Sequence, residues 1–356
     1  MTYKTWMITT MSLLLVFAAL VVAVNFYVDH HAVRLSLFTS EKEIQQTIFP
    51  DGINQHIFNP EYIFRNPEKF DSFLFGSSRV AVIDVTKIST GRFYNMSYSQ
   101  GLPAQHLAIL KAFLQKGIRI RSVVIGLDEF CFSISPSLHQ KQLLRIMHPD
   151  ISGESRAVIF GMYFFRKPNL YELTNWKNRV LYGKMENRFI MNNRGVNLGW
   201  LQQERIIEAT GKPLFDFVIR KYEPLPFGNR DLNDAFEAIE ELIALSRTHH
   251  FTITFFITPL YAQSYLNSAE GLFKVKARLA GMTDYYDFSG LNSVTNNNMN
   301  YYEKSHYRYR VGDMIIRRIL GQTNDFGVLV NAKNADRHIQ KQKQELNQYL
   351  KTQNLR

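Results

Sequence analysis

A single cysteine, Cys131, stands in 356 residues, so no disulfide can form within the chain. That usage is compatible with a bacterial periplasm or outer surface. Charge is missing from residues 5 to 28, and Leu13 to Val24 are almost wholly apolar. The sequence also lacks a cluster of metal ligands, a phosphate-binding glycine loop, a dinucleotide fingerprint and any internal repeat. No metal or other cofactor is therefore expected. No nucleic-acid-binding motif accompanies the basic balance of 42 Lys+Arg against 31 Asp+Glu, a net charge of +11. That charge fits a surface meeting anionic lipid or an acidic glycan, or a basic solvated face with a basic tail.

The uncharged run is long enough to span a bilayer as a helix. A cleaved signal peptide is the rival reading, but the run is long for one and no small-x-small site follows it. The expectation is a single uncleaved anchor over residues 6–28. Lys4 and the amino terminus precede it, and Asp29, two histidines and Arg34 follow. This bias puts the N-terminus inside and the rest of the chain outside the cytoplasm, as a single-pass protein of the inner (cytoplasmic) membrane.

After a lead-in of residues 29–70, segments of strand and helix character alternate. Ser72 to Phe75, Phe93 to Met96, Ser122 to Ile125 and Phe251 to Ile257 read as strands. Pro103 to Lys116 reads as a helix, with proline in its first turn and Gly117 as its stop. Asp231 to Arg247 reads as an amphipathic helix through Leu232, Ala235, Phe236, Ile239, Leu242 and Ile243. Such alternation predicts an α/β domain over 71–327, with a doubly wound, mainly parallel sheet covered on both faces. Sites in such sheets gather at the carboxyl ends of the strands, where Gly76, Gly126 and Pro259 fall. Residues 133–230, rich in aromatic and basic residues and including Trp176 and Trp200, predict a mainly helical insertion. It either buttresses the sheet or caps a substrate. Residues 328–356 read as a basic polar tail, a solvated helix or disordered segment with Ile339, Leu346 and Leu350 on one stripe.

Two short motifs carry chemistry. Gly76-Ser77-Ser78-Arg79 follows the apolar Phe73-Leu74-Phe75, placing a serine at a tight turn after a strand. Glu303-Lys304-Ser305-His306-Tyr307-Arg308 offers a carboxylate three residues before a histidine. Ser78 is the candidate nucleophile, His306 the base and Glu303 the group that orients the base, as acyl transfer through a serine requires. Asp287 is a second candidate for the orienting role, and a Ser-His dyad a third arrangement. Arg79 and Arg308 are candidates for binding an acidic group on the substrate, or for pairing with a nearby carboxylate such as Asp128; Arg310 reads the same way.

These motifs, together with Asp284-Tyr-Tyr-Asp-Phe-Ser-Gly290 and Asn300-Tyr-Tyr, resemble the SGNH (GDSL-like) hydrolase superfamily. There the nucleophile is the third residue of a Gly-Asp-Ser turn and an Asp-x-x-His motif lies near the C-terminus. Here Ser77 and Glu303 replace the two aspartates. The resemblance implies an oxyanion hole from the Ser78 backbone N–H, the Gly101 N–H and the position of Asp128, where the family has an asparagine. An ionised aspartate cannot donate and would repel an oxyanion, which implies protonation, a turned-away side chain or altered catalysis. The chain also resembles the membrane-anchored members that work beside membrane-bound O-acyltransferases on cell-surface polysaccharide. That resemblance implies a serine acyltransferase or esterase acting on a cell-surface glycan. The alternative is a catalytically weakened scaffold of the same fold, holding a glycan or the membrane acyltransferase.

Overall fold

Six apolar segments become the strands of one sheet in the computed structural model. They are β1 (Ser72–Phe75), β2 (Phe93–Asn95), β3 (Ser122–Leu127), β4 (Thr252–Ile257), β5 (Tyr285–Asp287) and β6 (Val328–Val330). Their spatial order is β2-β1-β3-β4-β5-β6. The first five are parallel, and β6 runs antiparallel to β5 at the edge. The structure describes residues 2–44, 47, 49–136, 142–182, 188–215, 222–225, 227–322 and 325–353.

Side-chain alternation along the strands explains why both faces are covered. In β1, Phe73 points to one face and packs on Phe113 of the helix Pro103–Gln115, with ring centroids 5.0 Å apart. Leu74 points to the other and joins a core with Val124, Phe256, Ile315 and Ile316, the last two from the helix Tyr309–Ile319. The protein is thus mixed α/β with a mostly parallel sheet. From β1 the chain steps to β2 on one side, then crosses back to β3 on the other. That reversal opens a crevice at the carboxyl ends of β1 and β3, the place where open sheets of this kind hold ligands. Ser78 follows β1, and Asp128 follows β3.

The chain divides into two compact units, and the division differs from the expected one. The sheet belongs to residues 66–139 and 191–356. Residues 1–65 and 140–190 form the other unit. The lead-in contributes the helices Val33–Phe38 and Gln55–Arg65 to this unit. The expected insertion is split, its 140–190 portion packing with the first 65 residues and its later portion with the sheet. Parts of it, residues 137–141, 183–187, 216–221 and 226, lie outside the described residues. In the first unit, Val33 and Ile57 pack with Ile146, Ile159 and Tyr163. Asn54 ties this core together by donating to the carbonyls of Leu143 and Ile146 and to the Tyr163 hydroxyl at 2.8–2.9 Å.

The uncharged run forms one helix, Tyr3–Val28, of 26 residues and mean hydropathy 2.6 over its most apolar window, none of which is buried. It is long and apolar enough to cross a membrane. The basic tail is also corrected. Residues 328–330 are the edge strand β6, and Ala335–Thr352 is a helix that buries Ile339, Leu346 and Leu350. The stripe is as read from the spacing, but it packs within the sheet unit and is not solvated.

Candidate active site

Glycine geometry sets the turn after β1. Gly76 has φ +154°, and a Cβ there would meet Val80 at 2.8 Å and the Gly126 carbonyl at 3.1 Å. Only glycine lets the chain turn this tightly against β3. Gly101 is constrained in the same way, because its Cβ would lie 2.6 Å from the Gly76 carbonyl. The backbone around Gly101 thus lies directly against the Ser78 turn. The short 3-10 segment Val80–Val82 then carries the chain away.

Ser78 Oγ lies 2.9 Å from His306 Nε2. On the far side of the ring, Nδ1 is hydrogen-bonded to Glu303 Oε1. A carboxylate only accepts, so Nδ1 carries the proton and Nε2 presents its lone pair to the serine hydroxyl. Burial alone would raise the Glu303 pKa. The hydrogen bond from His306 and the backbone N–H of Ser305 outweigh it and hold the carboxyl below its ordinary range. Ser78 is half-buried, so the hydroxyl is reachable. The structure brings together the three residues named as nucleophile, base and orienting group.

Asp287 plays no part in this arrangement. It is wholly buried with Lys276 Nζ 2.8 Å away, and its Oδ2 also bonds His338 Nε2 at 2.8 Å. Burial would raise its pKa, but Lys276 and His338 push it far below the usual carboxylate range. The His338–Asp287 contact ties the C-terminal helix to β5.

Arg79 and Arg308 are committed to protein partners. Arg79 is 7% exposed. Its Nη1 lies 2.9 Å from Asp128 Oδ1 and also bonds Glu129, whose other oxygen accepts from Nη2 at 2.9 Å. Its Nε donates to the Ser305 carbonyl at 3.1 Å. Burial would lower its pKa, yet the two carboxylates raise it well above the ordinary value. Arg308 is 3% exposed, bonds Glu204 through Nε at 3.0 Å and donates to the Met299 carbonyl at 2.9 Å. Both guanidinium groups are paired with carboxylates, the alternative named for them, Arg79 with Asp128 and Glu129 and Arg308 with Glu204. Arg310 donates to Asn300.

Asp128 is fully buried and accepts from Arg79 and from the Thr258 hydroxyl through the same Oδ1. Its Oδ2 has no hydrogen-bond partner among the described residues. An acceptor held by Arg79 offers no donor to an oxyanion. Glu129, Thr258 and the Ser305 carbonyl were not anticipated as parts of this network. The adjacent acidic pair Asp128-Glu129 at a strand end, close to an arginine-bearing turn, was the available signal. Trp200 was noted only among the aromatic residues of the insertion. It stacks on Tyr302 at 5.0 Å with an interplanar angle of 1°, and lies 5.5 Å from the His306 ring. The Tyr302 hydroxyl in turn bonds Glu204. Among the described residues, no group of three or more His, Cys, Asp or Glu is placed to hold a metal.

No protein-family model matches the chain, and no curated protein matches it.

Proposed function

We propose that this protein is a membrane-anchored serine acyltransferase or esterase of SGNH type, acting on a cell-surface glycan. The observation that carries the reading is the continuous relay from Ser78 Oγ through His306 to Glu303 at the crevice between β1 and β3. His306 Nε2 takes the proton as Ser78 Oγ attacks the ester carbonyl. Glu303 steadies the imidazolium that forms. Collapse of the tetrahedral adduct expels the alkoxide, which takes the proton from His306, and the acyl group stays on Ser78. An acceptor hydroxyl or water then attacks the acyl-serine by the same steps in reverse. The backbone N–H groups of Ser78 and Gly101 are the proposed oxyanion donors, Asp128 being committed elsewhere. Trp200, beside His306, supplies an aromatic face of the kind that stacks on sugar rings. The helix Tyr3–Val28 would hold the enzyme in the inner membrane with the chain that follows it outside the cytoplasm, beside a membrane-bound O-acyltransferase that supplies the acyl group.

Asp128 favours a second reading, a scaffold that binds glycan or the acyltransferase without turnover. One experiment separates the two. The full chain in detergent is treated with an activated-ester or fluorophosphonate probe and mapped by peptide mass. Labelling of Ser78, abolished by His306→Ala, is expected. An unlabelled Ser78 would overturn the enzymatic reading in favour of the scaffold.

A further inference from the structure

The unit formed by residues 1–65 and 140–190 carries an apolar face that its own core does not use. The helix Arg156–Phe164 buries Ile159 and Tyr163. Its other side presents Val158, Met162 and, one residue past the helix, Phe165, which are 51%, 47% and 69% exposed. Their i, i+4, i+7 spacing puts them on one stripe. Ala157 precedes the stripe and Gly161 lies within it, and no charged residue falls between Val158 and Phe165. Single exposed apolar side chains are ordinary, whereas an uninterrupted stripe marks a surface that something covers.

The joint between this helix and the apolar helix Tyr3–Val28 indicates what covers it. Asn25 Nδ2 donates to the carbonyls of Phe164 and Arg166 at 2.9 and 2.7 Å. The rings of Phe26 and Phe164 lie 5.6 Å apart. About 20 residues of helix cross the ~30 Å hydrocarbon core of a bilayer. Counted along the uncharged run from Thr5, twenty residues end at Val24, immediately before Asn25 and the joint. Other exposed apolar groups sit around it: Tyr27 at 65% and Leu170 at 78%. Tyr171, the neighbour of Leu170, has its ring 6.3 Å from His30. Aromatic and long aliphatic side chains next to an exposed lysine, here Lys167, are the composition of a headgroup-level belt.

We propose that the stripe Val158–Met162–Phe165 is a second membrane contact, lying in the leaflet from which the helix Tyr3–Val28 emerges. This rests on the membrane-anchor part of the reading above and is independent of the chemistry at Ser78. The occupant is lipid. The stripe has no polar group with which to select a protein, and it continues the exposed surface of the apolar helix. Held at two points, the unit lies against the bilayer instead of swinging on a single tether.

The test uses the full chain in phosphatidylcholine–phosphatidylglycerol vesicles, with an environment-sensitive fluorophore on one introduced cysteine at a time. The positions are Leu14, Met162, Phe165 and, as a solvent control, Glu241. Cys131 is 2% exposed and stays out of reach of the label. Labels at 162 and 165 should be blue-shifted and quenched about twofold or more by lipids with a shallow nitroxide, as expected for side chains at the headgroup–acyl boundary. The label at 241 should be unaffected, and that at 14 quenched by a deep nitroxide. Quenching at 14 with labels at 162 and 165 behaving like that at 241 would overturn the lipid contact and leave the anchor standing. An unquenched label at 14 would overturn the anchor and the proposal together. Labels at 162 and 165 shielded in native membranes but not in pure lipid would assign the face to a protein and overturn the lipid assignment.

Discussion

Arg79 donates through Nε to the backbone carbonyl of Ser305, the residue before His306. The residue after Ser78 thus holds the loop that carries His306. The same guanidinium reaches Asp128 and Glu129 at the end of β3. One side chain fixes three segments of the crevice, and this gives Asp128 a structural task.

Removing the cation therefore strands a buried charge. Arg79→Met should lower stability by about 3–5 kcal/mol, the usual cost of breaking a buried pair from one side. Asp128→Asn added to it should recover part of that loss. Alone, Asp128→Asn should leave ester turnover flat or lower. Denaturant midpoints and ester kinetics on the four proteins decide the matter. A gain in turnover near the roughly 10²–10³-fold supplied by one oxyanion donor would show that Asp128 faces the reacting carbonyl after all.

Glu303→Gln preserves the shape of the relay but removes the anion that fixes the proton on Nδ1. The expected effect is a fall in kcat of about 10²–10⁴-fold with little change in KM, by analogy with the orienting carboxylate of serine hydrolases. Steady-state kinetics on an acetyl ester would measure it. A change within twofold would point to a Ser78–His306 dyad in which Glu303 is dispensable.

His106 should make the sheet unit sensitive to acid. Its ring is fully buried against Tyr98, and burial lowers its pKa to about 3. The unfolded chain protonates this group near the ordinary value of about 6.5. The folded state thus binds fewer protons in that window. The stability His106 confers is complete above about pH 6.5 and is lost as pH falls towards 3, at up to about 1.4 kcal/mol per pH unit. His106→Gln should flatten the dependence between pH 6.5 and 4.5 in urea titrations. An equal slope in both proteins would contradict it. The other unit is a poorer test, because His31, lowered to about 4 by burial, and Asp29, raised to about 6 by burial, act in opposite senses.

Ending the chain at Asn331 should unsettle the sheet edge. The helix Ala335–Thr352 buries Ile339, Leu346 and Leu350, each worth about 1.5–3 kcal/mol. It also supplies His338 and Gln342 to Asp287. Loss of cooperative unfolding, or a stability lower by about 4 kcal/mol or more, is expected from these terms. An unaltered melting curve would return the segment to the status of a tail.

The local parts of this structure were legible because local rules produce them. Phe73-Leu74-Phe75 before Gly76 gives a strand and a turn, and the spacing of Leu107, Leu110 and Leu114 gives a helix. Ser78, His306 and Glu303 were readable from residue type and order. What was not legible depends on distant packing. An arginine beside a serine does not disclose that its partners are Asp128, Glu129 and Ser305. The helix Ala335–Thr352 shows three apolar residues among lysines and glutamines, too few to distinguish a packed helix from a solvated one. The split of 133–230 depends on Val33 and Ile57 covering Ile146 and Ile159, and no local pattern encodes which segments meet.

The chain passes between its two units after residues 65, 139 and 190, so neither unit is contained in one continuous stretch of sequence. A fragment beginning at residue 66 would carry Ile146, Ile159 and Tyr163 without the Val33 and Ile57 that cover them. It would be sticky for reasons unrelated to the apolar helix it had shed. A water-soluble version of the sheet unit must instead begin near residue 66 and replace residues 140–190 with a hydrophilic join, deleting the interposed segment whole.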